Sequence, residues 1–285
     1  MRYLGIDLDE KLTFMPHIER VSAKANRLMN KFINLGMTKF RLPPRVMKLY
    51  HEAILVSIVG YGAGIWASRL KNIKPAAKLR SLQRGILIRL TGAYRTTATD
   101  ALTTVLGVIP LDLLIRQKGA TFWVKKGLQA RAEFILDTRV ETIRDVKNVI
   151  LDMWQTRWEE SSTGRRTYDI FMDVHERLEL RHLQPSQGLI HYLTGHGPYM
   201  VYLKEKGISD SNACSCGGIG TPEHVVWECQ NTAQLREPFQ RLLQGRQIAN
   251  IIRDPYSWKL LDEATNRVSQ KAKEDYINSR HGQRQ

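Results

Sequence analysis

Three cysteines and one histidine fall within 16 residues of this 285-residue chain as Cys214-x-Cys216-x7-His224-x4-Cys229, and no other cysteine occurs. Three thiolates and an imidazole are donors that Zn2+ takes in a tetrahedron, and here one local segment supplies the full set. The spacing therefore predicts a structural zinc knuckle with Cys214, Cys216, His224 and Cys229 as ligands. Four protein ligands leave no open position for water, so this metal is expected to hold shape rather than to hydrolyse. The single residue between Cys214 and Cys216 is shorter than the usual gap. That leaves open which groups close the tetrahedron, and His196 in LTGHG is the nearest spare donor. Gly217, Gly218 and Gly220 offer positive-φ freedom for turning around an ion. Thr221-Pro222 reads as a helix start carrying His224 toward Cys229, which sits in its final turn or just past it. The competing reading is a structural histidine beside three incidental thiols.

Other chemistry-bearing residues are less specific. Asp7 and Asp9 in RYLGIDLD invite a metal-carboxylate reading, but D-x-D at a strand end fits turn chemistry better. Trp154 and Trp158 share a helix face at i, i+4; they could stack bases, and burial is the preferred reading. No nucleophile-base pair is evident, which disfavours a free-standing metallo-hydrolase.

The formal charge is +15. Residues 1–150 hold 26 Lys and Arg against 11 Asp and Glu, while residues 151–285 hold 17 against 17, so the whole excess lies in the first part. A single-sign field of that size suits a polyanion such as RNA or DNA; a solvated basic surface is the plainer alternative. Cysteines odd in number and confined to one cluster argue against a secreted disulfide framework. The opening residues lack a secretory h-region, and AILVSIVGYGAGIWA (53–67) is too short and too glycine-rich for a bilayer span. A soluble intracellular protein with no membrane partner is expected.

The elements that must position these groups follow from periodicity. RYLGIDLD places Leu4, Ile6 and Leu8 at period two, predicting one short strand over residues 2–9. Residues 16–35 read as a helix with Ile18, Val21, Ala25, Leu28, Phe32 and Leu35 inward and Gly36 as its stop. Arg20, Lys24, Arg27 and Lys31 then form a basic stripe on the opposite face. A second helix follows Pro43 and Pro44 with Val46, Tyr50, Ala53, Ile54 and Ser57 inward, before Gly60 and Gly62 break it. A third, 75–90, buries Leu79, Leu82, Ile86 and Leu90 and shows Lys78, Arg80, Arg84 and Arg89. Gly107 closes one further helix and Pro110 opens the next; amphipathic helices follow at 147–160 and near 168–180. The fold class is mainly α: a helical bundle with basic outer faces and a short N-terminal strand, then a small zinc-stabilised α-rich C-terminal domain. The boundaries are 1–145, 146–277 with the knuckle at 214–229, and a frayed tail at 278–285. Candidate nucleic-acid contacts are Arg20, Lys24, Arg27, Lys31, Arg80 and Arg84.

YLGIDLDEKLTFMPHI, YGAGIWA, LQRGILIRLTGAYRTTATDALTTVLGVIPLDL, LTGHGPYMVYL and the Cys/His segment, in this order, resemble the C-terminal third of the polyproteins of non-LTR retrotransposons. The resemblance covers nearly the whole chain and is nearest to the jockey-like and ribosomal-gene-inserting kinds. It implies that YLGIDLD is the strand leaving a reverse-transcriptase palm and that the next helices form the thumb on the template-primer duplex. It also implies a CCHC knuckle made by Cys214, Cys216, His224 and Cys229, with RNA or DNA as partner. The nucleus would be the site of action, with a cytoplasmic RNA-bound stage. An RNA-directed DNA polymerase of this kind holds Mg2+ on an Asp-Asp motif in its palm, and this chain contains no Asp-Asp pair. The fingers, most of the palm and the endonuclease portion have no counterpart here, and no ribonuclease H carboxylate set is present. The expectation is a C-terminal fragment without its own polymerase site, from a 5'-truncated copy or partial gene, whose partners include those missing portions. The alternative is a domesticated non-catalytic module that binds nucleic acid or protein.

Overall fold

The computed structural model describes residues 1–35, 49 and 51–282, and they are mainly helical, as the pattern predicts. Contacts divide the chain into two compact units. The first comprises Met1–Leu90, Val108–Ser161 and Asp173–His175, and the second comprises Thr91–Gly107, Ser162–Met172 and Glu176–Gln285. The units are not separated by a single cut, because Thr91–Gly107 leaves the basic part of the sequence to join the second.

In the first unit the predicted strand is a hairpin. Arg2–Tyr3 pairs antiparallel with Ile6–Asp7 in the register Arg2 with Asp7 and Tyr3 with Ile6. Leu4 (φ 44°) and Gly5 (φ 82°) make the turn, two consecutive left-handed residues of the kind that two-residue hairpins require. The turn ends the alternation early, so Ile6 is buried while Leu4 is exposed. Asp9 then accepts from Thr13 N (2.9 Å) and Phe14 N (2.7 Å), ordering the approach to the helix Met15–Leu35. This helix buries Ile18, Val21, Ala25, Met29 and Ile33. Leu28 is outward, contrary to expectation. At 100° per residue Leu28 lies about 80° round from Ile18, and Met29 only about 20°. The inward placement of Leu35 and the stop at Gly36 lie outside the described side chains. So does the start of the second predicted helix, with Val46 and Tyr50.

His51–Val56 is wound as a π-helix that continues as Ser57–Val59. The wider turn moves the register, so that His51, Leu55 and Val59 are buried and Ala53 and Ser57 are exposed. The stretch bends by 58° into Ala63–Lys71; among the described residues no single helix is long and apolar enough to cross a membrane. Gly62 (φ +64°) is required at this bend, since a Cβ there would lie 2.5 Å from Ile6 Cδ1. The helix Ile73–Thr91 buries Leu79 and Ile86, and its Gln83 grips the next loop by donating to Ile109 O (2.9 Å) and accepting from Leu111 N (2.8 Å). Leu111–Lys125 packs on Gln129–Leu136 and on Ile143–Glu160, whose Trp154 and Trp158 are buried. Thr142 and Asp145 cap that last helix reciprocally.

The second unit is built around the long helix Pro255–Gly282, on which Gln187–Thr194, Ala233–Leu243 and Ile248–Arg253 pack. Its residues 278–282 are helical where a frayed tail is expected. Gly188 allows Gln187–Thr194 to approach the long helix, because a Cβ there would lie 2.4 Å from Asn266 Cα. The single helix expected near 168–180 is two short ones, Arg165–Tyr168 and Val174–Glu179. Arg177 is buried, and its Nη2 donates to Val105 O (2.6 Å), near the end of Thr99–Leu106, and to Leu183 O (3.0 Å).

Candidate metal centre and basic face

The metal segment begins as a small hairpin. Ala213 bridges Ile219, Cys214 N donates to Gly218 O (2.7 Å), and Gly217 N donates back to Cys214 O (2.9 Å). That tight loop presents Cys214 and Cys216 from alternate positions and explains how one intervening residue suffices. Of the three glycines, only Gly217 (φ +92°) uses a left-handed conformation. Gly218 and Gly220 are small for another reason. A Cβ on Gly218 would lie 2.6 Å from His224 Cε1, and one on Gly220 would lie 2.7 Å from Met200 Cβ.

The second half of the site is a helical turn of unusual width. Thr221 Oγ1 accepts from His224 N (3.0 Å), His224–Glu228 is π-wound, and Cys229 N donates to His224 O (2.7 Å). In an α-helix, residues five apart point about 140° away from each other. The i→i+5 bond closes that gap, and extended backbone at Cys229 (ψ 128°) aims its thiol back to the loop. The result brings the four expected donors together. Their ligand atoms all lie within 4.8 Å of one another, with Cys214 Sγ to Cys229 Sγ at 3.6 Å and Cys216 Sγ to His224 Nε2 at 3.1 Å. A tetrahedron with metal-sulfur bonds of about 2.3 Å has edges of about 3.8 Å, so the set fits one metal ion.

Glu228 Oε2 lies 3.5 Å from His224 Nδ1, leaving Nε2 toward the cluster. Hydrogen bonding from the Gly218 amide holds the Cys216 thiol below its usual pKa, whereas burial raises that of Cys229. A divalent cation among the sulfurs would bring all three to the thiolate form. The Cys229 carbonyl accepts from Thr232 Oγ1 (3.1 Å) and from buried Arg236. Val225 and Val226 anchor the wide turn in a core with Tyr199, Tyr202, Leu203 and Val268. Glu223 meets Arg166 (2.5 Å), and Trp227 Nε1 donates to Tyr192 OH (3.0 Å). His196 is outside the donor set: its Nδ1 is 3.1 Å from Thr96 Oγ1 and its ring lies against Tyr202.

The basic residues separate into two kinds. Lys24, Arg27 and Lys31 are exposed on one face of Met15–Leu35, opposite Ile18 and Ala25. Arg20 is turned inward to Asp7 (2.5 Å) and Gly5 O (2.6 Å), tying the hairpin to the helix. That pairing lowers the Asp7 pKa. The two carboxylates of D-x-D therefore serve Arg20 and the helix start. Arg80 is 3.6 Å from Asp112, which is buried and held bidentately by Arg157 at 3.0 and 2.8 Å. Arg84 is partly buried. Sequence periodicity brings out the stripe but not the acids: Asp7 is 13 residues from Arg20, and Asp112 is 45 from Arg157.

No family model and no solved structure matches the chain. Several retrotransposon proteins do. It is 28% identical to a Pol polyprotein from type-1 retrotransposable element R1 of Nasonia vitripennis over 86% of this chain and 64% of that protein. It is 25% identical to a putative 115 kDa protein in element R1DM of Drosophila melanogaster, over 98% of this chain and 28% of that protein. The R1 Pol polyprotein of Bradysia coprophila is likewise 25% identical, over 83% of this chain and 24% of its own length. The chain thus spans less than two thirds of each of these relatives. Over most of its length it is a homologue of the Pol polyproteins of R1 non-LTR retrotransposons.

Proposed function

We propose that the chain binds RNA or DNA of a retrotransposon through exposed cations of its first 150 residues, while zinc in the Cys/His segment sets the shape of the second unit. The observation that carries the reading is the trio Lys24, Arg27 and Lys31, exposed on one helix face. The net charge of +15 confined to residues 1–150 supports it. Backbone phosphates are the natural counter-charge, giving affinity with little sequence preference. In a reverse transcriptase such a surface would serve as the thumb on a template-primer duplex during target-primed synthesis in the nucleus. Because the chain has no Asp-Asp pair, two-metal nucleotidyl transfer is not assigned to its own residues. Zinc is favoured by the donor types, three sulfurs and one imidazole nitrogen at tetrahedral separations.

The test is the salt dependence of duplex binding. Each neutralised phosphate contributes about 0.9 to the slope of log K against log salt, so a Lys24→Gln, Arg27→Gln, Lys31→Gln variant should flatten the slope by about 2.7. A slope unchanged by the triple substitution, or a flat salt response in the natural sequence, would overturn the reading. Arg20→Gln should instead act on the hairpin and on stability, because its guanidinium is engaged by Asp7.

A further inference from the structure

A cleft of about 280 Å³ opens beside the wide turn of the metal segment, entirely within the second unit. Trp227 and Tyr192 form one wall, Leu243, Ile248 and Leu261 line the apolar interior, and Gln244 stands at the rim. The volume is below that of a site for a drug-sized molecule and suits a single planar ring. Its wall is fixed from behind. Trp227 sits between the ligands His224 and Cys229, its indole N–H is bound to Tyr192 OH (3.0 Å), and its carbonyl accepts from Gln240 (3.4 Å). Gln244 is exposed, and its amide is free for both donation and acceptance among the described residues. Gly245 (φ +74°) follows it with nothing within 4 Å of a Cβ, so another backbone can pass closely there.

We propose that this cleft holds one unpaired nucleobase, stacked on the Trp227 wall and bonded at its edge by Gln244. The inference rests on the nucleic-acid reading above and adds a subsite to it. A nucleobase suits the cleft because it is flat and apolar on its faces while carrying donors and acceptors only at its rim. Arg246, exposed beside the cleft, is already engaged by Asp254 (3.3 Å) and Ser257 (2.5 Å), so the subsite adds a base contact and no phosphate contact. An aromatic side chain of a protein partner could enter the same space, but it would leave the Gln244 amide unused.

The test compares the full chain's affinity for a thymidine oligomer and for an abasic oligomer of equal length and phosphate count. One stacked base should make the thymidine oligomer bind roughly 5- to 150-fold tighter. The preference should fall toward unity in Trp227→Leu and shrink in Gln244→Ala. Metal stoichiometry in Trp227→Leu reports whether the knuckle remains formed, and Gln244→Ala, at an exposed position, stands as the second variant. Equal, salt-sensitive binding of both oligomers would overturn the subsite and leave the basic face intact. A base preference that survives in both variants would also overturn it. If neither oligomer binds, both readings fail together.

Discussion

Alanine at position 218 probes the metal segment most directly. The added Cβ would lie 2.6 Å from Cε1, 3.1 Å from Nε2 and 3.2 Å from Nδ1 of His224. Ordinary carbon contacts begin near 3.5 Å, so the ring must retreat by about 1 Å. Metal-ligand distances tolerate only about 0.2 Å. The ring has little room to follow, because His224 N is bound to Thr221, His224 O to Cys229 N, and Val225 and Val226 are packed in the core. Disturbing an imidazole ligand even from outside typically weakens metal binding 10- to 100-fold, so Gly218→Ala should lose at least that, about 1.4–2.7 kcal/mol. Competition against a chelator measures it. Gly217→Ala is the control: nothing lies within 4 Å of its Cβ, but its φ of +92° is hostile to a side chain. It should destabilise the lobe by about 1 kcal/mol or more while the intact site keeps its ligand geometry. Metal affinity in Gly218→Ala equal to that of the natural sequence would refute the proposed contact between loop and ligand.

Other perturbations address the two units separately. Cys229→Ser removes the buried ligand and should unfold the metal lobe while leaving most salt-sensitive nucleic-acid affinity; complete loss of binding with the first unit still folded would contradict this division. Asp112→Ala should destabilise the first unit by about 1.5–3 kcal/mol, since it removes the buried carboxylate shared by the partly exposed Arg157 and Arg80; a change below about 1 kcal/mol in denaturant titration would show the pair to be dispensable. His191 is buried against Ser269 Oγ (2.9 Å), and burial depresses its pKa to about 4. The unfolded chain, with an ordinary histidine pKa of about 6.5, then binds the extra proton first, so stability falls as pH drops from about 6.5 to 4, by roughly 3 kcal/mol. His191→Gln should flatten that window. Metal release at low pH is common to both proteins, so the difference between their denaturation curves isolates the histidine.

The metal donors were legible because they are local: the constraint lies in residue types within one short segment, and a tetrahedral ion needs nothing more. The way the segment meets that constraint was less visible. The His224–Cys229 spacing does not suit an α-helix, and that mismatch is the sequence trace of the π turn, although propensity alone does not name it. Gly218 resembles its neighbours in sequence and differs from them only by facing a ring. In the helix Met15–Leu35 the apolar stripe could be drawn through Leu28 or Met29; both are three or four residues from Ala25, and packing chose Met29. The Leu4-Gly5 turn was masked by an alternation that continues through it. Partners such as Asp112 and Arg157 were beyond reach, because no local pattern links residues brought together only by helix packing.

Charge divides the possible contacts by mechanism. Zn2+ with three thiolates and a neutral imidazole carries a net charge of −1, and between His196 and Arg246 five Lys and Arg are matched by five Asp and Glu. The metal lobe therefore has little long-range attraction to offer a polyanion; recognition there must come from stacking and hydrogen bonds, which salt scarcely screens. The exposed cations of the first 150 residues act in the opposite way, contributing affinity that falls steeply with salt and ignores base identity. Two sets of residues that act through different terms and share no partners should contribute nearly additively. Removing Lys24, Arg27 and Lys31 should therefore lower the salt slope without changing the ratio between base-bearing and abasic oligomers, and altering the Trp227 cleft should change the ratio without touching the slope.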